Sequence, residues 1–190
     1  IEGFDWPTVV RIGPEAVTLA SLSRREEGQT SMSSPKRYLW DRDARDIQWR
    51  FCPERDSDLA RELPVTMGTY CLYVNNEGTP VRAFEDPRQV AGPVFRMQEP
   101  DPVLQPIFSR SSLMMFLMSE LILHALVQMN SPGYRQERVS PDIPRRLRSI
   151  ILTMPTAMPI AERKILYTWA NWAVETLWES MGWEAALEND

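Results

Sequence analysis

Residues 107–129, IFSRSSLMMFLMSELILHALVQM, form the most apolar stretch of the 190-residue chain, and any fold must hide them. As a helix the run would be ~35 Å long, enough to cross a bilayer. Its polar residues argue otherwise. Ser112, Ser119 or Glu120, His124 and Gln128 recur at roughly four-residue spacing and draw a narrow polar stripe down an otherwise apolar cylinder. A glutamate beside a histidine is costly in hydrocarbon. The run therefore predicts a long core helix and no membrane span, with Met114, Met115, Met118 and Met129 filling gaps and Asn130-Ser131-Pro132-Gly133 ending it. Glu120 and His124 lie four apart and can pair weakly on one face. A satisfied polar pair is the expected reading, ahead of a catalytic dyad.

The next segment changes period. Arg148-Ser149-Ile150-Ile151-Leu152-Thr153-Met154-Pro155 is an aliphatic run between an arginine and a proline, the pattern of a fully buried central strand. Behind it Ile160, Lys164, Ile165, Tyr167, Trp169, Trp172, Ala173, Leu177 and Met181 recur at spacings near three and four, which predicts a helix packed on a sheet and stopped by Gly182. The loop between them, Pro155-Thr156-Ala157-Met158-Pro159, carries a proline at each end and is stiff.

The front half is less periodic. Trp6 to Ile12 favours a strand, which Gly13-Pro14 breaks, and Glu15 to Leu22 predicts a short amphipathic helix with a stop at Gly28. Then Ser33-Ser34-Pro35-Lys36-Arg37-Tyr38-Leu39-Trp40 turns from a polar loop into a basic pair and a large apolar group. Residues 41–64 read as a charged connection with a few hydrophobic pins and a candidate helix at 56–63. Thr69 to Val74 and Pro80 to Phe84 flank Asn75-Asn76-Glu77-Gly78, the pattern of a hairpin. Residues 86–106 hold five prolines and read as an irregular connector.

Charge and cysteine content exclude several functions. A net charge of -5 opposes a general nucleic-acid binder. Cys52, Cys71 and a single His124 predict neither a disulfide framework nor a familiar zinc site, so no metal is expected. Between Pro132 and Ile150, Arg135, Arg138, Arg145, Arg146 and Arg148 stand against Glu137 and Asp142. This is either an anion-binding patch or, the preferred reading, a solvated approach that keeps the flank of a buried strand soluble. The chain opens on Ile1 with no leader-like segment and reads as an excerpt of a longer cytoplasmic protein.

The order of these features resembles the first lobe of Hsp70-like and actin-like ATPases: strand, glycine turn, helix with alanines, Lys-Arg pair, outer hairpin, long helix, then a strand ending in a proline with an arginine eight residues on. More narrowly, Ser33 to Asp41, Glu120-Leu121-Ile122, Asn130-Ser131-Pro132, Arg145 to Arg148 and Leu152 to Pro159 resemble the bacterial SrfB virulence-factor family, regarded as a divergent branch of that superfamily.

The resemblance implies an α/β (mixed α+β) fold, a partial actin-like lobe in which residues 1–106 are mostly an outer hairpin-containing subdomain and 107–190 supply a long buried helix plus a core strand and helix. It implies Lys36 as the catalytic cation facing the terminal phosphate, Arg37 beside the nucleotide, and Pro155 with Arg163 as an interdomain relay. Residue chemistry alone favours a solvated surface Lys36, and only the resemblance raises the catalytic reading to stand beside it. ATP and Mg would belong to the full-length parent. No Asp-x-Gly phosphate loop occurs in these residues, so none is expected bound to this excerpt. Expected partners are the remaining lobe of the same protein, a protein client, and further copies of the excerpt through open strand edges. The alternative is a binding or assembly module that keeps the fold without the chemistry.

Overall fold

A computed structural model describes residues 10–22, 34–43, 69–85, 102 and 107–182. Among these residues four α-helices run in chain order: α1 (Gly13–Leu22), α2 (Leu113–Asn130), α3 (Pro132–Gln136) and α4 (Ile160–Ser180). Three 3-10 turns, Pro35–Tyr38, Thr69–Tyr73 and Val81–Glu85, pack around them.

The core lies between α2 and α4. Ser109 starts the first turn of α2 by accepting from Ser112 N at 3.0 Å, and the apolar run then supplies Leu113, Met114, Met115, Phe116 and Met118, all buried. Ser131 ends the helix by turning extended, and Pro132, which cannot donate, opens α3. Against α2, the helix α4 buries Ile165, Trp169, Trp172, Ala173 and Leu177, as its periodicity predicts, and Leu166 besides, whereas Ile160 and Tyr167, which the same pattern placed inward, are exposed. Aromatic edges lock the junction: Trp169 and Trp172 meet at 5.3 Å, and Phe116 meets Phe108 at 4.8 Å and Tyr70 at 5.8 Å. Gly182, at φ +66°, closes α4 by donating to Glu179 O at 3.0 Å.

Length and composition alone would let Leu113–Asn130 cross a membrane, but 56% of it is buried inside the chain. Its polar residues are not one edge stripe. Ser112, Ser119 and Glu120 are fully buried, whereas His124 and Gln128 are exposed. Ser119 Oγ donates to Met115 O at 3.1 Å and meets the buried Tyr70 hydroxyl at 2.7 Å. Burial pushes the Tyr70 hydroxyl pKa far up, and the bond to Ser119 offsets only part of this.

Two sequence expectations change. The run 148–155 joins no sheet among the described residues, and it is not fully buried. Leu152 and Met154 pack on the core, while Ile150 is 42% and Ile151 88% exposed. Burying both faces of such a run takes ladder partners on either side, and the described residues provide none. The hairpin keeps its turn but not its arms. Val74 and Pro80 form an isolated antiparallel bridge, flanked by 3-10 turns. Asn75 Oδ1 accepts from Glu77 N at 3.0 Å and Thr79 N at 2.9 Å, and Pro80 has no N–H to extend a ladder.

The helix expected over 15–22 is present as α1, which begins two residues earlier, at Gly13. Of the first expected strand, Trp6 to Val9 lie outside the described residues, and Val10 to Ile12 form no strand. The Gly28 stop, the candidate helix at 56–63 and most of 86–106 also lie outside them.

Candidate functional site

The Lys36 turn is built from its ends inward. Ser34 takes φ 52°, Pro35 enters the turn with its fixed φ, and Arg37 N donates to Ser34 O at 3.0 Å. Downstream, Leu39 is fully buried and Asp41 is 3% exposed. Asp41 pairs with Arg110 at 3.5 Å, and the Arg110 guanidinium sits 4.8 Å over the Tyr38 ring.

Ser111 holds this turn to both long helices. Its N–H donates to Asp41 O at 3.0 Å, its hydroxyl donates to Leu39 O at 2.8 Å, and that hydroxyl accepts from Trp169 Nε1 at 2.9 Å. One small buried residue thus satisfies a tryptophan of α4 and a carbonyl beyond Lys36 with its side chain, and a second carbonyl with its backbone N–H.

On that support, Lys36 Nζ reaches across 117 positions of sequence and donates to Thr153 O at 2.9 Å. Thr153 lies two residues before Pro155. The following bend is closed by Met158 N donating to Pro155 O at 3.0 Å and is plugged into the core by the buried Met158 side chain. Arg163, one turn into α4, donates from Nε to Met158 O and from Nη2 to Thr156 O, each at 2.8 Å. The fork geometry of a guanidinium suits two carbonyls at once.

Of the residues expected at a site, Lys36, Pro155 and Arg163 therefore converge on one stretch of backbone, with Arg37 exposed beside Lys36. Sequence reasoning missed Ser111 and the Thr153 carbonyl. The signal for Ser111 was the cluster of serines ahead of the apolar run, together with a tryptophan on α4 whose N–H needs an acceptor.

The arginine-rich segment binds largely to itself on the surface. Arg135 Nε donates to Pro141 O at 2.6 Å, Arg145 Nη2 donates to Val139 O, and Arg138 binds the Tyr134 hydroxyl at 3.1 Å while stacking over its ring. Asn130 acts as a splint: its amide donates to Leu126 O and Arg145 O, each at 3.0 Å, and accepts from Arg145 N at 2.7 Å. Three of the five arginines thus hold their own loop together, which leaves them poorly placed as an anion patch.

What the fold and the site define is a two-helix platform that holds a cationic turn against a proline-bounded bend. The chain belongs to the SrfB virulence factor family, which matches it over residues 1–190. No curated protein and no solved structure matches it.

Proposed function

We propose that this member of the SrfB family works as part of an Hsp70-like or actin-like nucleotide-binding ATPase, contributing the cation at the cleft and the bend that reads it. The observation that carries the reading is the contact between Lys36 Nζ and Thr153 O, with Arg163 gripping the bend two residues on. A lysine so placed keeps two donors for a phosphate oxygen while it senses the backbone ahead of Pro155.

The residues fit the phosphate end of a nucleotide. Lys36 and Arg37 are both exposed cations on one short turn, and the turn is braced from behind by Ser111 and by the pair Arg110 and Asp41. In the full-length parent ATP would supply the phosphoryl group and Mg its counter-charge, with their phosphate loops and carboxylates outside these residues. This chain's own part is to position Lys36, hold its charge in place and couple it to α4 through Pro155 and Arg163.

The test is hydrolysis of ATP by the full-length protein beside its Lys36→Ala variant. A rate lost in the variant supports the reading, and equal rates overturn it. A second reading, a binding or assembly module without chemistry, draws support from the exposed Ile150 and Ile151 beside the site. It predicts that the parent is inactive on ATP and that substitutions at those isoleucines, not at Lys36, impair association with partners.

A further inference from the structure

Away from the Lys36 turn, α1 brings Glu15 to the polar pair on α2. The carboxylates of Glu15 and Glu120 and the imidazole of His124 place their donor atoms within 4.8 Å of one another, and Glu120 Oε1 lies 3.1 Å from His124 Nε2. This is more than an acidic surface patch. One donor is an imidazole, and one is a carboxylate with no solvent exposure on an otherwise apolar helix face.

From this geometry we infer that Glu15, Glu120 and His124 form a binding site for a divalent transition-metal ion such as Zn²⁺. Nitrogen with oxygen is a donor set that zinc accepts, and the cluster stays negative even though Arg11 interacts with both Glu15 and Glu120. Zinc holds such donors at about 2.0–2.2 Å, which separates a pair of them by about 3.4 Å. Glu120 and His124 already meet that spacing, so Glu15 need only turn inward by roughly an ångström. That turn exchanges its ion pair with Arg11 for the metal, at a side chain that is 43% exposed beside a His124 that is 44% exposed. The same exposure lets the ion enter from solvent and leaves a position for water. Arg11, 3.3 Å from Glu15 Oε1, is the competing cation and holds the affinity below that of a closed structural zinc site.

The chain has one histidine, so its ring signals in an NMR spectrum report this site alone. On titration of the full chain with Zn²⁺, the His124 ring signals are expected to move to a saturable end point at one ion per chain. Glu15→Ala, an exposed change that a thermal melt will show to be folded, is expected to weaken that transition by about tenfold or more. Ring signals that stay put in excess Zn²⁺ would overturn the proposal. So would an equal response in Glu15→Ala, which would mark adventitious binding to a lone histidine.

Discussion

Trp169 and Ser111 meet through one hydrogen bond, indole N–H to hydroxyl at 2.9 Å, and the same hydroxyl donates to the carbonyl of Leu39. The position of the Lys36 turn therefore depends on a side chain in α4 that never touches it. Ser111→Ala leaves the indole N–H and the Leu39 carbonyl buried without that partner. A loss of about 1–3 kcal/mol is expected in urea unfolding. Lys36→Met removes only an exposed bond to Thr153 O and is expected to cost under about 1 kcal/mol.

Gly78 sits at φ +84°, and a Cβ there would meet Ser112 Cβ at 3.1 Å and Phe108 Cδ1 at 3.2 Å. Both the backbone conformation and the space oppose any side chain. Gly78→Ala is expected to destabilise the fold by more than about 1 kcal/mol. A melting temperature equal to that of the parent chain would show that the 75–78 turn relaxes freely.

Arg163→Lys keeps the charge and loses the fork that binds two carbonyls. The bend 155–159 is expected to loosen, with faster amide exchange at Met158, whose N–H bonds Pro155 O, and a stability loss of about 1 kcal/mol. Unchanged exchange at Met158 would mean that the buried side chain alone holds the bend.

Glu175 and Glu179 on α4 titrate above the ordinary 4.5, because burial disfavours their charged forms, and the nearby charge of Arg82 offsets part of this. A carboxyl raised in the folded state binds its proton more tightly there than when unfolded. Its stabilising contribution is whole below the ordinary value and is lost as pH climbs through the raised one. The double change Glu175→Gln, Glu179→Gln is therefore expected to raise the melting temperature at pH 7, and the advantage is expected to shrink as pH falls toward 4.5. An advantage that is flat across this range would point to packing and not ionisation.

Ile151 is 88% exposed on a β-prone run whose backbone has no ladder partner among the described residues. Such an edge recruits other strands. Concentration-dependent self-association is expected in sedimentation, and Ile151→Lys is expected to weaken it without lowering the melting temperature. A parent chain that stays monomeric at high concentration would contradict this.

The helices were legible because their information is local. Period, the Pro159 entry and the Gly182 exit mark α4, and Ser131-Pro132 marks the end of α2. The turn at Asn75 to Gly78 was legible for the same reason. The arms of the hairpin were not, because β-prone residues say nothing of the Asn75 side chain that satisfies Glu77 and Thr79. The burial of Ile150 and Ile151 was misjudged because it depends on neighbouring strands, which a one-dimensional pattern cannot supply. At the candidate site the resemblance singled out Lys36, Pro155 and Arg163, while Ser111, the Thr153 carbonyl and the approach of Glu15 to His124 are tertiary facts with faint local signatures.

The grip of Arg163 on two carbonyls gives the bend a mechanical character. Proline at both ends removes slack, the guanidinium fastens the middle to the first turn of α4, and Met158 pins it from beneath. The bend and the first turn of the 21-residue α4 are thereby fastened into one unit.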